Sequence, residues 1–138
     1  MQGHCNCGSV TVEVNVPPNN EHKGFVCHCR NCQKSSGAGG AYLLMLPLSD
    51  ITFNGPIKHY LDTNTNSGRA VHRHFCETCG SPLYGLLKEM MPGTALVRTT
   101  LFDEFKESPP IPNMELYVKD RWSWDQTLPG AQQCSANP

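Results

Sequence analysis

The sequence lacks long apolar runs. Nowhere does it contain the roughly eighteen consecutive apolar residues that a membrane-spanning helix needs. Residues 1–5, Met-Gln-Gly-His-Cys, also lack the basic stretch and apolar segment that are typical of a secretory signal. We therefore expect a soluble protein without a membrane partner, located in the cytoplasm, with the nucleus as the alternative location.

An excess of positive charge is also absent. The chain has 11 Lys and Arg against 12 Asp and Glu, which gives a formal net charge of -1, and only 17% of its residues are charged. Proteins that bind nucleic acid usually concentrate Lys and Arg on one face. The composition therefore argues against nucleic acid as a partner, and it says nothing about the oligomeric state.

The chain is short and modestly apolar. Its 138 residues are 38% hydrophobic and include 12 Gly and 11 Pro, which favour turns over long helices. A second independently folding unit would leave both halves with thin cores. We predict one domain over residues 1–138, with a loose tail from about residue 128, because that segment has little to bury.

Short alternating and apolar segments predict strands. In residues 9–16, four valines recur at every second position, which is the period of a half-buried strand. A glycine-rich loop is predicted at residues 35–40. Further strands are predicted at residues 41–48, 51–53, 57–61, 70–75, 83–87, 95–102 and 114–118. The sequence therefore predicts a mainly β domain with few short helices.

Eight cysteines are many for a chain of this size. In a reducing compartment they indicate metal ligands or reactive thiols rather than a disulfide framework. Seven lie at the short spacings that let neighbouring sulfurs reach one ion from a tight turn. The eighth, Cys134, lies in the predicted tail, and we interpret it as a free thiol, with an intermolecular disulfide or a metal ligand as lesser alternatives.

Two of these spacings can form one site, the four-cysteine set, which consists of Cys5, Cys7, Cys76 and Cys79. Four protein ligands make a closed, structural zinc site. Gly8 and Gly80 follow the two pairs, as expected where the chain turns sharply around the sulfurs. The alternatives are a disulfide or a redox pair.

The remaining three cysteines, Cys27, Cys29 and Cys32, form the three-cysteine set. Three protein ligands with an open fourth position are typical of a catalytic zinc, and a sulfur-rich zinc favours a substrate thiol. One alternative is a second structural zinc site completed by a histidine. The other is that the three cysteines hold no metal in the isolated protein. His28 should point away from the metal if its neighbours point towards it. Cations that are candidate partners for an anionic thiol are Arg30, Lys34, Arg69 and Arg73.

These motifs resemble a known family. Residues 3–10 (GHCNCGSV), 27–37 (CHCRNCQKSSG), 75–83 (FCETCGSPL) and 117–124 (YVKDRWSW) are similar to the glutathione-dependent formaldehyde-activating enzyme family, which also includes centromere protein V. The resemblance covers about residues 3–124. It implies an Mss4-like fold of twisted antiparallel sheets joined by zinc, with two zinc ions per chain: a structural one on the four-cysteine set and a catalytic one on the three-cysteine set.

The resemblance also implies a reaction type. The family's founding activity joins glutathione and formaldehyde, so we expect a carbon-sulfur lyase whose partner is a small-molecule thiol or thiol adduct. The cysteine that gives way to the substrate sulfur is, in our interpretation, Cys29. The alternative is a zinc-stabilised module that binds a protein or chromatin without catalysis. A lesser alternative is a thiol redox enzyme, for which only Cys134 is free of a metal set.

Overall fold

A computed structural model describes residues 1–15 and 24–136 of the chain. Within them it contains one α-helix, α1 (Arg30–Ser36), and short 3₁₀ turns at Leu48–Asp50, Thr99–Leu101, Asp103–Phe105 and Val118–Asp120. The strands are β1 (Gln2–His4), β2 (Thr11–Val14), β3 (Gly24–Cys27), β4 (Ala41–Pro47), β5 (Ile51–Asn54), β6 (Ile57–Asp62), β7 (Val71–Cys76), β8 (Pro82–Leu86), β9 (Thr94–Arg98), β10 (Met114–Leu116) and β11 (Gln132–Cys134). The prediction of a mainly β fold with few short helices is confirmed.

The strands form two sheets. A small sheet has the order β1-β2-β5, and a large sheet has the order β11-β10-β3-β4-β9-β8-β7-β6. Neighbouring strands are antiparallel except that β10 runs parallel to both β3 and β11. The antiparallel architecture that the resemblance implies is therefore present, with one parallel edge that the sequence did not predict.

The large sheet has two different faces. Leu44 and Val97 point to one face, where they pack with the alternating valines of the small sheet. Their neighbours Leu43 and Leu96 point to the opposite face and belong to a second cluster that contains the three-cysteine set. Because successive strand residues alternate between faces, the sheet separates the two cysteine sets.

Most predicted strands are present with small shifts. The valine alternation is confirmed at Val10, Val12 and Val14, whereas Val16 lies outside the described residues. The strand predicted at residues 95–102 ends at Arg98, because the chain turns into the 3₁₀ segment Thr99–Leu101.

The strands β1, β3 and β11 and the helix α1 were not predicted. Strand β3 is buried at all four positions, so it shows no alternation, and β1 is only three residues long. Helix α1 spans seven residues and takes two of them, Ser35 and Ser36, from the predicted glycine-rich loop. Elements this short contain too few residues for a sequence period to be visible.

The prediction of a loose tail from about residue 128 is wrong for Gln132–Cys134, which pairs with β10. The Leu128 N–H and the Gln133 amide donate hydrogen bonds to Oε2 of buried Glu115, at 2.9 and 2.6 Å. A single buried carboxylate therefore orders a segment whose composition is polar. Among the helices of the described residues, none has the length and apolar character needed to cross a membrane.

Candidate metal centre

The four-cysteine set joins the two sheets. Its sulfur atoms all lie within 4.8 Å of one another. The Cys7 sulfur is 3.5 Å from that of Cys5 and 3.9 Å from that of Cys76. Tetrahedral zinc with bonds of about 2.3 Å separates its ligand sulfurs by about 3.8 Å. The spacing of these four sulfurs therefore fits a closed zinc site between the turn after β1 and the turn after β7.

Both pairs of the set are held by similar turns. Gly8 and Gly80 adopt left-handed φ angles of 77° and 73°. Their N–H groups donate to the carbonyl oxygens of Cys5 and Cys76, each at 2.9 Å. The predicted sharp turns after the two pairs are confirmed, and they bring a buried and an exposed sulfur together in each pair.

Hydrogen bonds favour the thiolates of Cys79 and Cys5, two members of this set. The Ser81 hydroxyl, 3.1 Å from the Cys79 sulfur, and the Ser81 N–H lower the pKa of Cys79 to about 5. Burial raises the pKa of Cys5, but the Val10 N–H at 3.2 Å and neighbouring side chains outweigh burial and lower it to about 7. The chain therefore prepares these sulfurs for a cation.

The three-cysteine set lies on the other face of the large sheet, where β3 ends and α1 begins. Its sulfurs also lie within 4.8 Å of one another, and all three residues are buried. The Cys32 N–H donates to the Cys29 sulfur at 3.4 Å. Within residues 1–15 and 24–136, no His, Cys, Asp or Glu joins the three as a fourth ligand. This finding argues against the alternative of a second structural site completed by a histidine.

The three sulfurs share negative charge unequally. Hydrogen bonds from the Cys27 and Cys32 thiols lower the pKa of Cys29, whereas contact with Cys29 raises the pKa of Cys27. Three thiolates this close repel one another unless a cation lies between them. A buried set of this kind fits a metal ion that accepts sulfur ligands, such as zinc.

Two arginines, one on β7 and one on β9, add positive charge. Arg98 is 8% exposed, and its Nη2 donates to the Ser35 hydroxyl at 2.8 Å. Burial lowers the pKa of Arg98, while the negative charge of Cys32 acts to raise it. Arg73 donates through Nε to Asp62 Oδ2 at 2.7 Å, and the charge of Cys32 favours its protonated form. Together they balance part of the charge of the three-cysteine set.

Of the four cations predicted as partners of an anionic thiol, only Arg73 lies at the three-cysteine set. Arg73 lines the cavity described below, whereas Arg30, Lys34 and Arg69 are exposed and do not line it. Arg30 instead donates to the Gln33 side chain at 2.9 Å. Arg98 was not predicted, although a charged residue inside the largely apolar run 95–102 is unusual and marks the position.

A cavity of about 420 Å³ opens beside the three-cysteine set. Its lining is mostly apolar and includes all three cysteines, Arg73 and Arg98. Tyr117 also lines it, with a φ of 55° that makes it the single non-glycine residue with positive φ among the described residues. Burial and the negative charge of the cysteines raise the pKa of Tyr117, so its hydroxyl stays protonated. Strained backbone of this kind is often found at functional sites.

His28 points away from the sulfurs, as the alternation predicts, but it is buried rather than on the surface. Its ring nitrogens lie 3.0 Å from the Gly39 carbonyl oxygen and 2.9 Å from Glu115 Oε1. Arg121 also contacts Glu115, with 3.2 Å between Nη2 and Oε2. The segment that carries Cys27 and Cys29 is therefore tied to β10 and β11 through one buried carboxylate.

Comparison with known proteins identifies the family of this chain. A family model described as glutathione-dependent formaldehyde-activating enzyme matches residues 1–120. The chain belongs to this family. A Fusarium vanettenii protein named after the same family is 32% identical over 104 residues, which are 72% of this chain and 53% of that protein. The chain therefore spans about half the length of this curated relative.

A solved structure shares the fold of this family member. The crystal structure of a Rhodobacter sphaeroides protein matches it with a TM-score of 0.58 and 23% sequence identity, over 75% of this chain and 88% of that one. The family assignment confirms the resemblance seen in the cysteine motifs. The structure brings the seven clustered cysteines of this family member into the two predicted groups, and Cys134 belongs to neither group.

Proposed function

We propose that the protein is a zinc-dependent carbon-sulfur lyase that acts on a glutathione-like thiol or its aldehyde adduct. The observation that carries this proposal is the three-cysteine set, which offers three buried sulfurs beside a cavity and has no fourth protein ligand among the described residues. Membership of the family supports a reaction between a thiol and an aldehyde.

We further propose two zinc ions per chain. The four-cysteine set would hold a structural zinc, and the three-cysteine set a catalytic one. A metal on the three-cysteine set would supply Lewis acidity and keep a substrate thiol in its thiolate form at neutral pH.

The reaction balances without an oxidant or reductant. The substrate thiolate donates an electron pair to the carbonyl carbon of an aldehyde, a carbon-sulfur bond forms, and the carbonyl π electrons move to oxygen. That oxygen takes up one proton. In the reverse direction the hydroxyl loses its proton, the carbon-sulfur bond breaks, and the aldehyde and thiolate are released.

Two side chains that line the cavity can stabilise the negative charges on the aldehyde oxygen and on the substrate thiolate. The Tyr117 hydroxyl makes no hydrogen bond within the described residues and stays protonated, so it can donate to the substrate oxygen. The Arg98 guanidinium is fixed beside the cysteines by Ser35 and offsets the charge of an additional thiolate. We propose Cys29, the middle cysteine of the three-cysteine set, as the catalytic cysteine that would give way to the substrate sulfur. The Cys32 N–H, 3.4 Å from the Cys29 sulfur, would stabilise the thiolate that is set free.

The experiment follows ¹³C-formaldehyde by NMR in the presence of glutathione or another thiol, with and without the zinc-loaded protein. We expect faster formation and breakdown of the hydroxymethyl thioether. Cys29→Ser should lose this acceleration, and Tyr117→Phe should reduce it about 10²-fold, as expected for the loss of a proton donor. The matched control is Cys134→Ser, which lies outside both sets. Wild-type rates in Cys29→Ser would contradict the proposal.

A further inference from the structure

The cavity beside the three-cysteine set is unusual in its charge. Its apolar lining comes mainly from the face of the large sheet opposite the small sheet, together with neighbouring loops. The apolar side chains include Phe25, Leu43, Leu96 and Leu116, together with four methionines. Neutral polar side chains such as Asn31, Thr65 and Asn66 also line the cavity, but no Asp, Glu or Lys among the described residues does.

Glutathione carries two carboxylates and an ammonium group besides its thiol. Burying an unpaired charge in an apolar site costs several kcal/mol or more. Of the two cations that line the cavity, Arg73 is already paired with Asp62, and Arg98 lies beside the cysteines. No carboxylate lines the described cavity to receive the ammonium group. An intact polar tripeptide therefore matches this lining poorly.

The size and shape of the cavity instead fit a compact apolar group. About 420 Å³ is within the range of small-molecule sites. Gly85 lies opposite Arg73 on one neighbouring strand and opposite Leu96 on the other. Because it has no side chain, the floor of the cavity stays open at this position, and a Cβ there would meet Val71 Cγ1 at 3.4 Å.

From these observations we infer that the preferred substrate is a thiol, or its aldehyde adduct, whose sulfur is attached to an apolar alkyl or aromatic body, rather than intact glutathione. This inference rests on the proposed function, because it takes the sulfur to bind at the three-cysteine set. The apolar body would lie against the leucine and methionine side chains of the large sheet.

NMR of the methionine methyl groups reports ligand binding in the cavity directly and does not depend on catalytic turnover. Four of the five methionines line the cavity, and Met1, which packs with the core of the other face, is an internal control. Zinc-loaded protein with ¹³C-methyl methionine is titrated with 2-phenylethanethiol, 2-phenylethanol and glutathione. We expect the aryl thiol to shift the cavity methyl resonances but not that of Met1, with a Kd about tenfold or more below that of glutathione.

A matched pair of variants tests where the apolar body lies. Gly85→Ala narrows the cavity floor, and we expect several-fold weaker binding of the aryl thiol. Gly24→Ala adds the same methyl group in the same sheet at a residue that does not line the cavity, where the nearest atoms, the Leu43 carbonyl oxygen and Leu44 Cδ2, are 3.6 Å away. Gly24→Ala should bind like wild type. Equal affinities in both variants would overturn the assignment of the apolar body to this cavity.

The three ligands separate failure of this inference from failure of the proposed function. If glutathione binds as tightly as the aryl thiol and shifts the same methyl groups, the inferred preference for an apolar body is overturned. Thiol capture, meaning binding of the substrate sulfur at the three-cysteine set, still stands. If the alcohol binds as tightly as the aryl thiol, thiol capture fails and the proposed function fails with it. Strong preference for the aryl thiol over both other compounds supports both.

Discussion

Arg98 supplies a buried positive charge beside the three-cysteine set. It is held by the Ser35 hydroxyl and feels the charge of Cys32. Replacing it in Arg98→Met removes a cation that offsets the thiolates, so we expect the metal proposed for the three-cysteine set to dissociate about tenfold more readily. Competition with a chromogenic chelator measures this loss, and the metal on the four-cysteine set is the internal reference. Arg30→Met, at an exposed position, is the control, and equal loss in both variants would contradict this role.

Glu115 is 1% exposed and accepts hydrogen bonds from His28, Leu128 and Gln133, which lie in three separate segments of the chain. Burial acts to raise its pKa, but hydrogen bonds from Gln133 and His28 outweigh burial and lower the pKa below its ordinary value of 4.5. A carboxylate with a lowered pKa stabilises the fold above its ordinary pKa, and this contribution is lost as the pH falls through the lowered value.

We therefore expect Glu115→Gln to lower the free energy of unfolding by about 3 kcal/mol near pH 7. Urea unfolding at a series of pH values should show the difference between the two proteins shrinking as the pH falls below about 4.5. A difference that stays constant with pH would show that Glu115 acts through packing and not through its charge.

At the scale of residues, the cysteines that could bind a metal were predictable from the sequence, but the residues that surround them were not. Cys27, Cys29 and Cys32 are close in sequence, so their spacing alone indicates a shared site. Arg98 and Tyr117 reach that site, and Glu115 reaches His28, through strand pairing between distant segments, which a single sequence does not reveal. Each is a polar residue in an otherwise apolar run, and this is the one local sign of its role.

At the scale of elements, β11 is held by few contacts. It is three residues long, and the Gln133 side chain donates to Glu115 from within it. Gln133→Ala leaves the buried carboxylate short of one donor, so we expect a loss of about 1–3 kcal/mol of stability and faster amide hydrogen exchange in β11. Gln132→Ala, at a neighbouring exposed position, should change neither quantity. Equal effects of the two substitutions would refute the link to Glu115.

The turns after β1 and β7 join the two sheets through the four-cysteine set. Losing one ligand opens the proposed zinc site, so Cys76→Ser should lower the free energy of unfolding by several kcal/mol and release one metal per chain. Urea unfolding with parallel metal analysis checks this. Cys134→Ser is the matched control and should keep both metals. A Cys76→Ser protein with wild-type stability and metal content would contradict a structural role for this set.

Elements with a visible period could be predicted from the sequence, and the shortest ones could not. The alternating valines of β2 face the core as expected, because the alternation extends over several residues. Strand β3 is buried on all sides, and α1 has fewer than two full turns. These two elements carry the three-cysteine set, so the elements that position the candidate site were the ones the pattern missed.

At the scale of the whole molecule, the large sheet separates the four-cysteine set from the three-cysteine set and its cavity. One face packs with the small sheet and carries Cys76 of the four-cysteine set, and the other carries the three-cysteine set and the cavity. A mainly β fold with two cysteine sites could be predicted from composition and spacing. Their placement on opposite faces depends on strand order and register, which only the three-dimensional structure shows.

The central claim is that the three-cysteine set binds a metal ion that accepts a substrate thiol. It is tested most directly by loading the three-cysteine set with cobalt, keeping zinc on the four-cysteine set, and titrating with a thiol while recording the thiolate-to-cobalt absorption. The account predicts absorption for three protein thiolates that changes saturably on titration, because the substrate sulfur joins the metal. An unchanged spectrum at saturating thiol, or a metal already bound by four protein ligands, would contradict it.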